Sequence, residues 1–301
     1  MVEISERDRQ LAKLLGKHFI ARPDTKAVQN AQGEYRPLRG EPFTLGDLVS
    51  HMQGRHTYGH YMINEADQCK LFCFDLDLLP HDDPTKKKPG EPHQLRRLPA
   101  MRNGRGQYFG WSDGDPREVW GSRKQGAARD FMKVMLQTAA GLLAHRITSL
   151  LEIPTLASYS GSKGCHVYGF LGKTSSQLAR EAAHIVLNSF KETQDVTGYW
   201  ELTRGNNFYS YRFPGMTDKG HPAQDDPFLN WEQMSLEVYP KQDSLSGKDL
   251  GNLLRLPLGV NRKSPHRDPA FFLSLDGDCQ QPSSFKPLDA LTALTTMNPW
   301  Q

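Results

Sequence analysis

Phe72-Cys73-Phe74-Asp75-Leu76-Asp77 is an apolar run that ends in two carboxylates one residue apart, and it constrains the fold more than any other segment. Side chains alternate faces along a β-strand, so Asp75 and Asp77 are expected on one side while Phe74 and Leu76 pack on the other. Like charges held that close repel, and a fold keeps such a pair where a cation neutralises it. These residues therefore predict a divalent metal. The same Asp-x-Asp pattern serves nucleases and sugar-nucleotide transferases and also occurs at plain solvated strand ends, so other residues must decide.

With 301 residues, 37% of them hydrophobic and 24% charged, the chain has enough apolar mass to bury a core. One domain over residues 1–301 is expected. No apolar stretch reaches the roughly eighteen residues of a membrane helix, and Met1-Val2-Glu3-Ile4-Ser5-Glu6-Arg7 lacks the order of a signal peptide. The expectation is a cytoplasmic protein with no membrane partner. Cys69, Cys73, Cys165 and Cys279 are too scattered for a disulfide scaffold, so free thiols are expected, with Cys69 and Cys73 buried on the same side of a strand.

The net charge of +3 is modest, but its distribution is uneven. Lys86-Lys87-Lys88, Arg96-Arg97, Arg102, Arg105, Arg117, Arg123 and Lys124 crowd one stretch, with Tyr108, Phe109, Trp111 and Trp120 between them. Basic groups suit phosphates and flat rings suit unstacked bases, so a single-strand contact and a merely solvated loop both remain open. Pro80 to Arg123 is rich in Pro, Gly and charge and reads as a long loop or insertion beside the acid pair.

Around it the periodicity alternates. Residues 4 to 17 predict an amphipathic helix, Phe43 to Val49 a cap and short helix, and Tyr58 to Ile63 with Lys70 to Leu76 a hairpin that delivers the two aspartates. Residues 124 to 151 predict a strong helix with Phe131, Met135, Leu142, Leu143 and Ile147 on its apolar stripe. A strand from Ile153 to Tyr159 enters a tight polar turn, Ser160 to His166, and Val167 to Phe170 leaves it. The next helix runs from Thr174 to about residue 193, with Leu178, Ala182, Ile185, Val186 and Phe190 as its core side. Strands near Phe208 to Phe213, Ser235 to Tyr239 and Phe271 to Leu275 and a last helix near 287 to 297 make the class α/β (α+β).

Two further segments carry chemistry. In Ser160-Gly161-Ser162-Lys163-Gly164-Cys165-His166 the glycines permit close backbone approach, while Ser160, Ser162, Lys163 and His166 suit phosphate oxygens. An ordinary β-turn with one incidental histidine is the competing reading. Glu237 and Arg255 each lie alone in an apolar strand, where a charge either faces solvent or meets an opposite one.

Asp75-x-Asp77, then Ser160 to His166, then Glu237-Val238-Tyr239-Pro240-Lys241 with Arg255-Leu256-Pro257-Leu258-Gly259, resembles the archaeo-eukaryotic primase superfamily in order and flanking residues. Phe19 to Asp24 and His51 to Tyr61 are similar to the primase domains of TOTE conflict systems and of CRISPR-associated primase-polymerases. The resemblance covers about residues 18 to 275, with Pro80 to Arg123 outside it. It implies a two-lobed core, one lobe RRM-like, with the active-site cleft between the lobes. It further implies template-directed nucleotidyl transfer, in which Asp75, Asp77 and Glu237 hold two Mg²⁺ or Mn²⁺ ions and act with His166 as the catalytic set. Ser160, Ser162, Lys163, His166, Arg255 and Lys263 would grip an incoming NTP or dNTP. Arg22, Lys26, His56, Lys86, Lys87, Arg96 and Arg97 would contact nucleic acid. Single-stranded DNA template and primer, nucleoside triphosphates and helicase, replication or CRISPR components are the implied partners. Asn261 stands where relatives often carry histidine, and the chain has no zinc-binding or helicase motif. A metal-dependent nuclease, a sugar-nucleotide transferase and a non-catalytic nucleic-acid-binding module are the alternatives.

Overall fold

The computed structural model describes residues 4–78, 101–102, 108–109, 127–162, 164–192, 199–204, 208–212, 234–264, 267, 269–275 and 286–297. From the N-terminus the chain runs through α1 (Glu6–Phe19), β1 (Lys26–Gln29), β2 (Tyr35–Leu38), α2 (Leu45–Met52), β3 (Tyr58–Tyr61) and the long β4 (Gln68–Leu78). Two short strands, β5 (Met101–Arg102) and β6 (Tyr108–Phe109), pair with each other, and α3 (Ala127–Leu151), β7 (Thr155–Tyr159), β8 (Gly164–Ser175) and α4 (Ser176–Glu192) follow. The remainder is β9 (Tyr199–Arg204), β10 (Phe208–Arg212), β11 (Met234–Tyr239), β12 (Leu253–Arg255), β13 (Phe272–Leu273) and α5 (Pro287–Met297). No helix among the described residues is long and apolar enough to cross a membrane.

β4 organises the molecule. Leu71, Phe72, Cys73, Phe74 and Leu76 are all buried, so apolar side chains leave this strand on both faces, and both of its edges are paired: with β8 on one side and β11 on the other. Continuous apolar character of this kind belongs at the centre of a sheet. The order of the seven-stranded sheet is β13-β7-β8-β4-β11-β10-β9, and a smaller sheet has the order β12-β3-β1-β2; every pairing is antiparallel. The class is therefore mixed α and β, with antiparallel sheets.

Each face of the large sheet has its own core. Phe72, Phe74, Leu76, Val167, Leu236 and Val238 pack with residues of α3 and α4 on one side. Leu71, Cys73, Tyr168 and Phe170 pack on the other with α1, α2, α5 and residues of the small sheet. Local signals hold these helices in place. Ser5 caps α1 by accepting from the Asp8 N–H, and Thr44 and Asp47 form a reciprocal capping box on α2. Asp47 also pairs with Lys26 at 2.7 Å, which fastens α2 to β1.

Three expectations are corrected. β3 and β4 form no hairpin ladder: β3 pairs with β1 and β12, because both edges of β4 are already taken by strands from distant parts of the chain. On α4 the buried side is Ala179, Ala183, Val186, Leu187 and Phe190, whereas Leu178 and Ile185 are exposed. Ala179 and Ala183 let this helix approach the strands closely, and Val186, Leu187 and Phe190 fill the rest of the contact while Leu178 and Ile185 fall on the outer arc. Cys69 and Cys73 face opposite cores, because a register shift between Cys69 and Leu71 breaks the alternation that spacing alone implies. Cys69, Cys73 and Cys165 are free and buried, as expected; Cys279 lies outside the described residues.

Candidate functional site

The strand registers draw the site. Glu237 on β11 stands opposite Asp75 on β4, Asp75 opposite His166 on β8, and His166 opposite Ser158 on β7. Directly opposed residues of antiparallel strands share a face, so these four polar side chains form one row across the sheet. A second row sets Ser235, Asp77 and Gly164 side by side. The intervening Leu76, Cys165 and Leu236 are fully buried in the core beneath. The expected facing of the acid pair is thus observed, and Asp75 and Asp77 both line a cavity of 710 Å³.

Gly164 is where a side chain has no room. A Cβ there would lie 1.9 Å from the Leu76 carbonyl oxygen and 2.6 Å from Asp77 Oδ1, so glycine keeps the ladder closed. His166 is on strand β8 rather than in the turn, with Nε2 3.3 Å from Asp75 Oδ1 and Nδ1 2.9 Å from the Tyr168 hydroxyl. The turn itself is shorter than expected. It closes by Ser160 N–H donating to Gly164 O at 2.9 Å and by the Tyr159 hydroxyl donating to Ser162 O at 2.7 Å, with Gly161 at φ +74°. Ser160 and Ser162 both line the cavity.

The opposite wall is cationic and comes from the small sheet and its loops. Tyr35 on β2, Arg255 on β12 and the loop residues Asn261, Arg262 and Lys263 line it. Arg255 donates to Ser160 O and so ties the two walls together. Burial raises the Tyr35 hydroxyl above its ordinary value, with Arg255 pulling the other way, so Tyr35 stays a neutral phenol.

Glu237 is engaged by its own strand end. Its Oε2 accepts from the Tyr239 hydroxyl at 3.0 Å and lies 2.9 Å from Lys241 Nζ, which sits 4.6 Å from the Tyr239 ring centre. Burial, then Asp75 and Glu237, push the Tyr239 hydroxyl far up, so it remains a donor. The thiols of Cys73 and Cys165 are raised by burial first and by the neighbouring acids second, which keeps them neutral and unsuited as ligands. Among the described residues no three His, Cys, Asp or Glu side chains converge closely enough to hold a metal ion.

The other expected residues divide. Arg22 lies beside a separate 400 Å³ cavity, where it pairs with Asp24 at 3.3 Å and Glu65 at 3.0 Å and donates to Asp249 O. Lys26 is buried against Asp47, and His56 is exposed with Nδ1 2.8 Å from the Ser50 hydroxyl; none of the three lines the large cavity. Lys163, Lys86, Lys87, Arg96, Arg97 and most of the 80–123 insertion lie outside the described residues. Sequence reasoning missed Tyr168, Tyr239 and Lys241 as partners of the acids and of His166. The signal was present, since residues two apart on a strand share a face: 166 with 168, and 237 with 239. Compared with models of known protein families and with the curated proteins, the chain matches none of them.

Proposed function

We propose that the chain is a template-directed nucleotidyltransferase, a DNA primase-polymerase that joins nucleotides on a single-stranded template. What carries this reading is one cavity with two carboxylates on one wall and Arg255 and Lys263 on the other, bridged by the serine-rich turn and His166. A nucleoside triphosphate needs both halves: carboxylates for its metal, and donors and cations for its phosphates. Its size is in keeping, since ligand cavities run from about 300 to 1,000 Å³. The two-lobed primase core with an RRM-like lobe is the architecture this reading implies.

Asp75 and Asp77 would hold Mg²⁺ or Mn²⁺, and Glu237, opposite Asp75 in the strand register, would join them by exchanging Tyr239 and Lys241 for the ion. Gly164 supports the fit because a Cβ there would lie only 2.6 Å from Asp77 Oδ1. Such ions supply charge neutralisation and Lewis acidity at the attacking 3′-hydroxyl and the departing pyrophosphate. The protein's own groups do the positioning: Ser160 and Ser162 offer hydroxyls, His166 a ring N–H, and Arg255 and Lys263 their charge to phosphate oxygens.

One observation favours a second reading, a binding module without turnover: Glu237 already takes Lys241 and Tyr239 as partners. A primer-free reaction separates the two, using single-stranded template, Mn²⁺, γ-labelled ATP and labelled dNTPs, with Asp75→Ala plus Asp77→Ala as control. Short products lost in the double variant support the primase-polymerase. Products that require an added primer leave a polymerase, and none in either case leaves the binding module. Cleavage of labelled DNA without nucleotides would point to a nuclease.

A further inference from the structure

His166 is contacted on both ring nitrogens, and the groups behind it admit one arrangement of protons. Nδ1 lies 2.9 Å from the Tyr168 hydroxyl, and that hydroxyl lies 3.0 Å from the Ser158 hydroxyl. On the far side of the ring, Nε2 faces Asp75 Oδ1 at 3.3 Å. Ser158 is 1% exposed and Tyr168 is fully buried, so their hydroxyl hydrogens need acceptors within the protein. Among the described residues Ser158 Oγ has Tyr168 alone as partner.

Ser158 therefore donates to Tyr168, and the Tyr168 hydrogen goes to His166 Nδ1. The imidazole proton is left for Nε2, facing Asp75. The reverse order strands the Ser158 hydrogen and sets a bare Nε2 lone pair against a carboxylate, two separate penalties. Burial, above all, pushes the Tyr168 hydroxyl well up, which keeps it a protonated donor. Its ring is braced by Phe19, edge-on at 5.0 Å between centres, so the oxygen has little freedom to leave the chain.

We infer that Tyr168 and Ser158 are positioning residues: through the chain Ser158 to Tyr168 to Nδ1 they lock His166 as its Nε2–H tautomer and present that N–H to the cleft as a fixed donor. Within the protein the acceptor is Asp75; with a triphosphate bound it is a phosphate oxygen, and only this last identification rests on the nucleotide reading. A donor fixed in advance loses no free energy to reorientation when the anion arrives. Neither Tyr168 nor Ser158 touches the anion.

The test is nitrogen-15 NMR of labelled histidines in the full chain, which reports the ring nitrogen that carries hydrogen, alongside calorimetric titration with ATP and dATP. Wild type should show His166 as a single Nε2–H tautomer. Tyr168→Phe keeps the ring and removes the donor; the tautomers should mix and nucleotide affinity fall about tenfold. Ser158→Ala, two bonds away, should shift both readouts in the same direction by about threefold, and it carries the test if Tyr168→Phe is unstable. An Nδ1–H or mixed wild-type ring, or a single Nε2–H tautomer in both variants, would overturn the inference. Mixing on substitution in a protein that binds no nucleotide would uphold the positioning and sink the nucleotide reading.

Discussion

The two walls of the cavity are built by different means. Asp75, Asp77 and His166 sit on central strands paired along both edges, so the backbone ladder sets their spacing. Arg262 and Lys263 sit on a loop that is held by side chains. Gln29 accepts from the Arg262 N–H at 2.9 Å and donates to Gly33 O at 3.0 Å, Asn261 Oδ1 accepts from the Lys263 N–H at 3.1 Å, and Arg262 donates to Arg55 O at 2.7 Å. Groups whose mutual distance governs chemistry belong on rigid elements, while groups that meet a ligand of variable shape tolerate a looser mount. The acid wall should therefore govern rate, and the basic wall affinity.

The contrast is widest in turnover. Asp75→Asn keeps shape and loses charge, and we expect synthesis to fall by at least about 10³-fold, whereas Lys263→Ala should raise KM and cost about 10²-fold in kcat/KM. Steady-state kinetics on a primed template read both. Equal losses, or a larger one for Lys263, would break the division between the walls.

Backbone packing sharpens it next. A Cβ at Gly164 meets a carbonyl of the central ladder, which cannot move without opening the pairing of β4 with β8, so Gly164→Ala should cost about 1–3 kcal/mol in urea unfolding. At Gly33 the Cβ meets Lys263 Cγ at 2.0 Å, near the root of a side chain that can still rotate away, so the cost is that displacement added to about 1 kcal/mol for φ +81°. Gly33→Ala should therefore unfold later than Gly164→Ala and displace the Lys263 stem.

The acid wall was the legible one. Alternation alone set Asp75 and Asp77 against Phe74 and Leu76, and the same period ran through Glu237 between Leu236 and Val238. The opposing wall gave little warning. β1, β2 and β12 are only four, four and three residues long, and β2 contains Pro37, so no periodic run announces them. That β3 leaves β4 for another sheet depends on β8 and β11 arriving from far along the chain, which no local pattern encodes. Tyr168 and Tyr239 were within reach of the same period-two argument, but their part in the site becomes visible only when the ring nitrogen and the carboxylate have positions.

Acid pH probes the interior beside the basic wall. Burial holds His51 down to about 4 and His60 to about 3, against an ordinary value of 6.5. His51 is satisfied as a neutral ring: Nε2 lies 3.0 Å from Pro257 O, and Nδ1 accepts from the Tyr58 N–H at 3.0 Å. Both nitrogens of His60 lack a hydrogen-bond partner among the described residues. The unfolded chain takes up these protons below pH 6.5 while the folded one does not, so the stability they contribute is full above 6.5 and drains away toward pH 4 and 3. Each histidine should remove about 1.4 kcal/mol per pH unit in that window. Asp47, lowered by its Lys26 and Thr44 bonds against the opposing effect of burial, adds to the loss only below its unfolded value of 3.8. Urea midpoints that stay flat from about pH 7 to about pH 5 would show that these rings are not kept neutral by the fold.

The smallest effect tests the loop mount itself. Gln29 is 3% exposed and joins the β1–β2 turn to residues 261–263 through one donor and one acceptor. Gln29→Ala removes these bonds and a longer one to Asn261 Oδ1 at 3.5 Å, but Asn261 and Arg262 line the cavity, where water can replace the amide, so the cost should be about 1 kcal/mol. A loop that wanders positions Arg262 and Lys263 less well before the ligand arrives and equally well once it has bound. KM should therefore rise about fivefold with kcat unchanged. A fall in kcat at constant KM would mean that the basic wall acts in the transition state, and the separation of rate from affinity between the two walls would fail.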